Sequence, residues 1–362
     1  MADANQVPDS HGRPTRASRI QAALLGTIAG LVAGSVTFGR IISDNDGYHL
    51  AWRVKPAELL RSIEKAHLAP LAGIAFVLTA ATFVRALQIR ITARTSVGVR
   101  PRYLPILRAA AVSSLAQDVL PLRLGEPLKL LVMRVEADVM MTAGLAAAVV
   151  DRSLDVAGLL LVGVLVPLAL DLPTVSDPTL SWALRRVVAL LLLLVAITAG
   201  AVVLHERIVP RVAPRFPRLA ALIELFGVAA SKASERRTLL AAGAASLVIA
   251  AFYGTTCTLA LIALDVGVPP SAGLFLGALI AFAGAIPSAP SALGVFHAAA
   301  YFGLTRLGAS DTEALSFALL LHALTAVISI LVASAILVVL PGTPLRELGW
   351  KHVFDPPPAP ST

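Results

Sequence analysis

Residues Leu315 to Leu340 read LSFALLLHALTAVISILVASAILVVL, a run without Asp, Glu, Lys or Arg. A helix needs roughly 20 apolar residues to cross the hydrocarbon core of a bilayer, so this stretch alone predicts a membrane span. Val187 to Leu204 is equally free of those charges. The whole chain follows suit: of 362 residues, 57% are hydrophobic and 14% charged, where a soluble domain carries roughly a quarter charged residues. The predicted fold class is all-α, a polytopic membrane helix bundle of about eight spans with two re-entrant elements and a possible inverted repeat.

The predicted spans are 20–39, 68–89, 139–170, 187–204, 239–264, 270–286, 290–307 and 314–340, with a shorter apolar piece at 109–122 before the third. The first run, Ile20 to Phe38, follows Arg13, Arg16 and Arg19 like a signal peptide. It outlasts a signal core of about 7–15 residues and lacks a clear small-residue cleavage site, so it reads as a retained helix. Placing the N-terminus inside puts 20 basic residues at or near the inner face and eight at or near the outer, with Arg85 and Arg152 inside spans. That asymmetry predicts cytoplasmic termini. The expected organisation is a disordered cytoplasmic tail over 1–18, a transmembrane domain over 19–341 containing an amphipathic cytoplasmic connector at 206–238, and a second disordered tail over 342–362.

The net charge of +8 fits topology-setting loops and anionic headgroups rather than nucleic acid. The single cysteine, Cys257, excludes an intrachain disulfide framework and reads as a small packed hydrophobe. No metal-ligand cluster, nucleotide fingerprint or soluble catalytic domain is visible, so no cofactor, metal or catalytic residue is assigned.

Hydrophobicity fails in three places. From Ala109 to Arg134, an apolar stretch ends in Gln117 and Asp118, and Pro121 and Gly125-Glu126-Pro127 then break the helix. Such a break at membrane depth needs shielding by protein or water, which a re-entrant hairpin facing a cavity provides; a solvated interfacial loop is the alternative. Arg123, Glu126 and Lys129, three residues apart, would stack on one helical face. Next, Asp151, Arg152 and Asp155 interrupt the third span. Asp151 and Asp155 share a face and Arg152 can pair with Asp155, either as a structural ion pair or as a functional site. Their surplus negative charge calls for a further cation, with Arg123, Lys129 and Arg85 as candidates. Finally, Pro287, Pro290, Gly294 and His297 fall in another interrupted apolar stretch, where the amides of a half-helix would attract an anion such as a lipid phosphate. His297 and His322 are the histidines inside spans, and packing is the plainer reading of each.

Together these elements resemble the lysylphosphatidylglycerol synthase transmembrane-region family, also called the flippase-like domain family. The resemblance covers roughly residues 20–340. It rests on Pro121-x-Arg123-x-Gly125-Glu126 with Lys129, on Asp151-Arg152-x-x-Asp155, and on Pro287-x-x-Pro290-x-x-x-Gly294. The family pattern runs P-x-R-x-G-E-x-x-R, acidic-Arg-x-x-Asp, then P-x-x-P-G-G-x-G-x-x-E. Its members occur as free-standing membrane domains or attached to lipid-aminoacylating or glycosyltransferase domains.

The resemblance implies a bacterial cell-membrane protein translocating a phospholipid or glycolipid headgroup, anionic or glycosylated, between leaflets. A separate lipid synthase or glycosyltransferase is a candidate partner. Arg123, Glu126, Arg152 and Asp155 would line the headgroup cavity, and Pro287, Pro290 and Gly294 would shape the second re-entrant element. Lys129 departs from the usual Arg, Ser291 and Ala292 from paired glycines, and His297 from Glu. The last change implies a different headgroup, a pH response, or a lost role. Two other functions stay open: a membrane-embedded transferase with Glu126 or Asp151 as base, and a non-transporting scaffold for a separate synthase. The lipid, its direction of transfer, the energy source and the oligomeric state are not legible in the sequence.

Overall fold

A computed structural model describes residues 37–44, 47–95, 97–120, 124–165, 206–233, 235–284 and 290–343, with scattered positions between 189 and 200. A hairpin of β1 (Gly39–Asp44) and β2 (Gly47–Trp52) precedes α1 (Pro56–Glu64), α2 (Leu68–Thr92), α3 (Tyr103–Val119) and α4 (Gly125–Ala137). Then follow α5 (Met141–Leu160), extended by a π turn over Leu161–Leu165, α6 (Pro217–Ala233), α7 (Arg236–Ala263), α8 (Ala272–Ala283), α9 (Val295–Arg306) and α10 (Asp311–Val339). The helical membrane bundle expected from composition is the observed architecture. Among the described residues, α2, α7 and α10 are long and apolar enough to cross a membrane. The expected span at 187–204, most of that at 20–39, most of the two tails, Arg123 and Pro287 lie outside the described residues.

The hairpin is an addition to an all-α expectation. Its strands pair antiparallel, with Gly39 opposite Trp52 and Asp44 opposite Gly47. Six-residue strands beside long apolar runs carry little signal in the sequence. Arg53 fastens the hairpin base by donating to the carbonyls of Thr37 at 3.2 Å and Gly39 at 3.2 Å. It also lies over the Tyr301 ring at 5.1 Å.

Local chemistry sets the helix ends. Pro56 occupies the first turn of α1, where its missing N–H leaves no helical bond unmade. Ser310 and Glu313 cap each other's backbone in a capping box that starts α10. At the end of α3, Leu120 is extended, as the residue before a proline prefers to be.

The spans drawn over 270–286 and 290–307 contain much shorter helices, α8 and α9, of 12 residues each. At 1.5 Å per residue each runs about 18 Å, well short of a roughly 30 Å hydrocarbon core. The apolar piece at 109–122 begins earlier than expected, as the 17-residue α3.

The bundle has two larger apolar cores. One joins α2, α3, α4, the start of α5 and the end of α10, around Ile106, Leu131 and Met133. The other joins the start of α2 with α7, α8, α9 and the first half of α10, around Leu261, Leu276 and Phe317. Each core therefore encloses one pair of short helices, α3 with α4 and α8 with α9. One cavity borders both cores.

Candidate functional site

The cavity measures about 540 Å³, within the size range of sites that enclose small ligands. Helices α2, α4 and α5 line one wall with charge, α3 adds Gln117 and Asp118, and α7 adds hydroxyl-bearing side chains. The rest is largely apolar, including Leu78, Ile249, Ile280 and Leu321.

The charged wall is built from i, i+3 and i, i+4 neighbours. On α5, Asp151 and Asp155 are both buried, as their four-residue spacing predicts. Arg152 lies 3.7 Å from Asp155, within ion-pair range. On α4, Lys129 reaches Glu126, three residues back, at 2.5 Å. Arg152 completes the link by donating to the other Glu126 oxygen at 2.5 Å. The first and second polar interruptions of the sequence thus form one connected cluster.

Arg85 of α2 supplies the extra cation that the carboxylates call for. Its Nη1 donates to Asp155 Oδ2 at 2.6 Å and to Gln88 Oε1 at 2.7 Å. Gln88 Nε2 then donates to Asp155 Oδ1 at 3.1 Å and to Ser246 Oγ at 2.7 Å. Ser246 Oγ donates to the same Asp155 oxygen at 2.9 Å. Asp155 is therefore held by two cations, an amide and a hydroxyl, the satisfaction that a buried charge requires. Gln88 and Ser246 are not among the site residues expected from sequence. Gln88 lies one turn from Arg85, and that i, i+3 spacing of polar residues in an apolar run is the signal that marks it.

Asp151 is held differently. Its Oδ2 accepts from Thr92 Oγ1 at 3.1 Å. Its Oδ1 is buried and, among the described residues, has no hydrogen-bond partner.

Gly125 has a packing role in the first element. A Cβ there would sit 2.3 Å from the Ser113 carbonyl oxygen, so only glycine lets α4 start against the backbone of α3. This contact sets where Glu126 and Lys129 enter the cavity.

The second broken element borders the cavity through Ser291, Ala292 and Phe296. Pro290 opens a single 3₁₀ turn, Pro290–Ala292. Gly294 caps α9 with φ of 84°, in the region that favours glycine. His297 is 4% exposed and packs among Phe38, Phe296 and His322, outside the cavity lining. Ser291 and Ala292, the residues standing at the family's paired glycines, do line the cavity. Their φ values of 55° and 54° keep a glycine-like backbone. Ser291 also donates to Asp118 Oδ1 at 3.3 Å, so the two broken elements touch.

Comparison with protein families matches the model described as the lysylphosphatidylglycerol synthase TM region to residues 28–333. Among curated proteins and among solved structures no match was found.

Proposed function

Because the chain belongs to the lysylphosphatidylglycerol synthase transmembrane-region family, we propose that this multi-span membrane protein passes polar lipid headgroups between leaflets through its charged cavity. The observation that carries the reading is the cluster of Arg85, Glu126, Lys129, Asp151, Arg152 and Asp155 on one wall of a cavity whose other walls are mostly apolar. Each charge placed in lipid costs about 2.5–3.5 kcal/mol on insertion scales, so a cluster of six needs a reason. A polar headgroup facing the charged wall, with its acyl chains along the apolar walls, supplies one.

In this reading Arg152 is the entry residue. Its side chain is 54% exposed and touches both Glu126 and Asp155. A headgroup phosphate can therefore take over part of its pairing without uncovering a buried ion. The pairs α3–α4 and α8–α9 act as re-entrant elements meeting at Asp118 and Ser291, and relative movement of the two halves alternates access. The excess of Lys and Arg on one side favours cytoplasmic termini, and the family suggests the inner membrane of a bacterium. A separate lipid-modifying enzyme would supply or consume the lipid.

Purified protein in vesicles carrying a fluorescent phospholipid tests this, with a membrane-impermeant quencher reporting transfer. The wild type should speed transfer, and Arg152→Ala and Asp155→Asn should each lower the rate at least tenfold while eluting as folded protein. Wild-type rates in both variants would sink the cavity reading.

A further inference from the structure

Four carboxylates line the cavity, and they are not equivalent. Asp118 of α3 accepts from Ser291, and its Oδ2 is buried without a hydrogen-bond partner among the described residues. Glu126 is paired with Lys129 and Arg152. Asp155 is paired with Arg85 and Arg152 and receives Gln88 and Ser246 as well. Asp151 has one neutral partner, the Thr92 hydroxyl. It is 6% exposed, one turn from the like charge of Asp155, and its Oδ1 has no partner among the described residues.

The groups acting on Asp151 come from the helices around it. Asp155 repels its charge from the same helix, while Lys129 on α4 and Arg85 on α2 attract it. Both cations already contact another carboxylate. Arg152, the next residue, is engaged by Glu126 and Asp155. Ser246 and Tyr253 of α7 line the same cavity, as does Asp118 of α3. On α6, Glu224 and Lys232 are exposed and stay out of the lining.

We propose that Asp151 is a proton-binding site whose occupancy is coupled to binding of an anionic headgroup. This deepens the lipid-handling reading and rests on it. With Asp151 ionised, three cations face its carboxylate and those of Glu126 and Asp155, and Asp118 adds a fourth carboxylate to the cavity lining. A proton on Oδ1 makes the lining more positive by one unit, the change that offsets the charge of one phosphodiester. The step moves one proton from water to the carboxylate, with no other bond made or broken. A proton also needs no room, which suits an oxygen sealed from solvent. By linkage, the anionic lipid favours proton uptake as much as the proton favours the lipid. A pH gradient would then drive lipid transfer.

The test adds phosphatidylglycerol to purified full-length protein in weakly buffered detergent containing a pH dye, with phosphatidylcholine as control and lipid binding measured in parallel. Wild-type protein should take up about one proton per phosphatidylglycerol bound and none with phosphatidylcholine. Asp151→Asn should take up none, and Asp151→Glu should restore uptake. Phosphatidylglycerol binding without uptake, or equal uptake by Asp151→Asn, overturns the proposal even if a variant folds poorly, because the wild-type measurement alone can fail it. Absence of phosphatidylglycerol binding overturns it as well. Uptake without any vesicle transfer would instead sink translocation and leave the proton site standing.

Discussion

Ser291 donates a hydrogen bond to Asp118 at 3.3 Å, joining the last turn of α3 to the 3₁₀ turn between α8 and α9. These positions come from the two broken elements, 173 residues apart in the chain. If the halves separate to admit a headgroup, this contact must open. The paired variant Asp118→Cys/Ser291→Cys, bridged by a short bis-maleimide, should stop lipid transfer. The native Cys257 is buried and should not compete for reagent. Unchanged transfer in the bridged protein would show that the two elements need not part.

The backbone at Ser291 and Ala292 makes a separate prediction. Both hold positive φ, which a side chain with a Cβ resists by roughly 1–2 kcal/mol. Ala292→Gly removes that strain, less the extra freedom glycine gains in the unfolded chain. The net expectation is a gain of up to about 1 kcal/mol, read as a higher melting temperature in detergent. A lower melting temperature would mean that the Ala292 methyl has a packing role outweighing the strain.

Breaking the Arg85–Asp155 pair should be more costly than removing it. Arg85→Ala leaves a buried carboxylate with the more distant Arg152 as its remaining cation, and losses of about 3–5 kcal/mol are usual when one partner of a buried pair is removed. Replacing both residues, as Arg85→Met with Asp155→Leu, should recover much of that stability while abolishing lipid transfer. Thermal unfolding and vesicle assays on the same preparations separate the two effects. A double variant as unstable as Arg85→Ala would contradict the pairing.

The charged wall is legible in the sequence because charge stands out against an apolar background. Asp151, Arg152 and Asp155 interrupt a long apolar run, and their surplus negative charge calls for a cation of the kind Arg85 supplies. Gln88 and Ser246 complete the same network yet leave little trace in the sequence, since an uncharged polar residue within a span is common and carries its meaning only through its neighbours. The hairpin is hidden for a related reason: six-residue strands compete poorly with a helical pattern on either side. The lengths of α8 and α9 are obscured because Pro287, Pro290 and Gly294 punctuate a run whose hydropathy alone suits two spans. His297 is conspicuous from its place in a motif, but its environment is Phe38, Phe296 and His322 rather than the cavity.

A less conspicuous spacing, Gly273-x-x-x-Gly277, explains how α8 reaches α7. Paired small residues let membrane helices approach backbone to backbone. A Cβ on Gly277 would lie 2.6 Å from the Gly254 nitrogen and 2.7 Å from the Tyr253 carbonyl oxygen, and one on Gly273 would lie 2.3 Å from the Thr258 nitrogen. The obstacle in each case is backbone, which cannot swing aside. Gly277→Ala should therefore push α8 away from α7 and destabilise the protein by about 1–3 kcal/mol, the usual range for overpacking. The displacement would also reach the cavity, because Tyr253 and Gly277 both line it. Gly243 provides the control. It lies in α7, and its added Cβ would meet only Leu154 Cδ2, at 3.9 Å. Gly243→Ala should be neutral or stabilising by up to about 1 kcal/mol, through helix propensity. Melting temperatures of the two variants in one detergent decide the matter: equal values would mean that the close approach of α7 and α8 does not hold the bundle together.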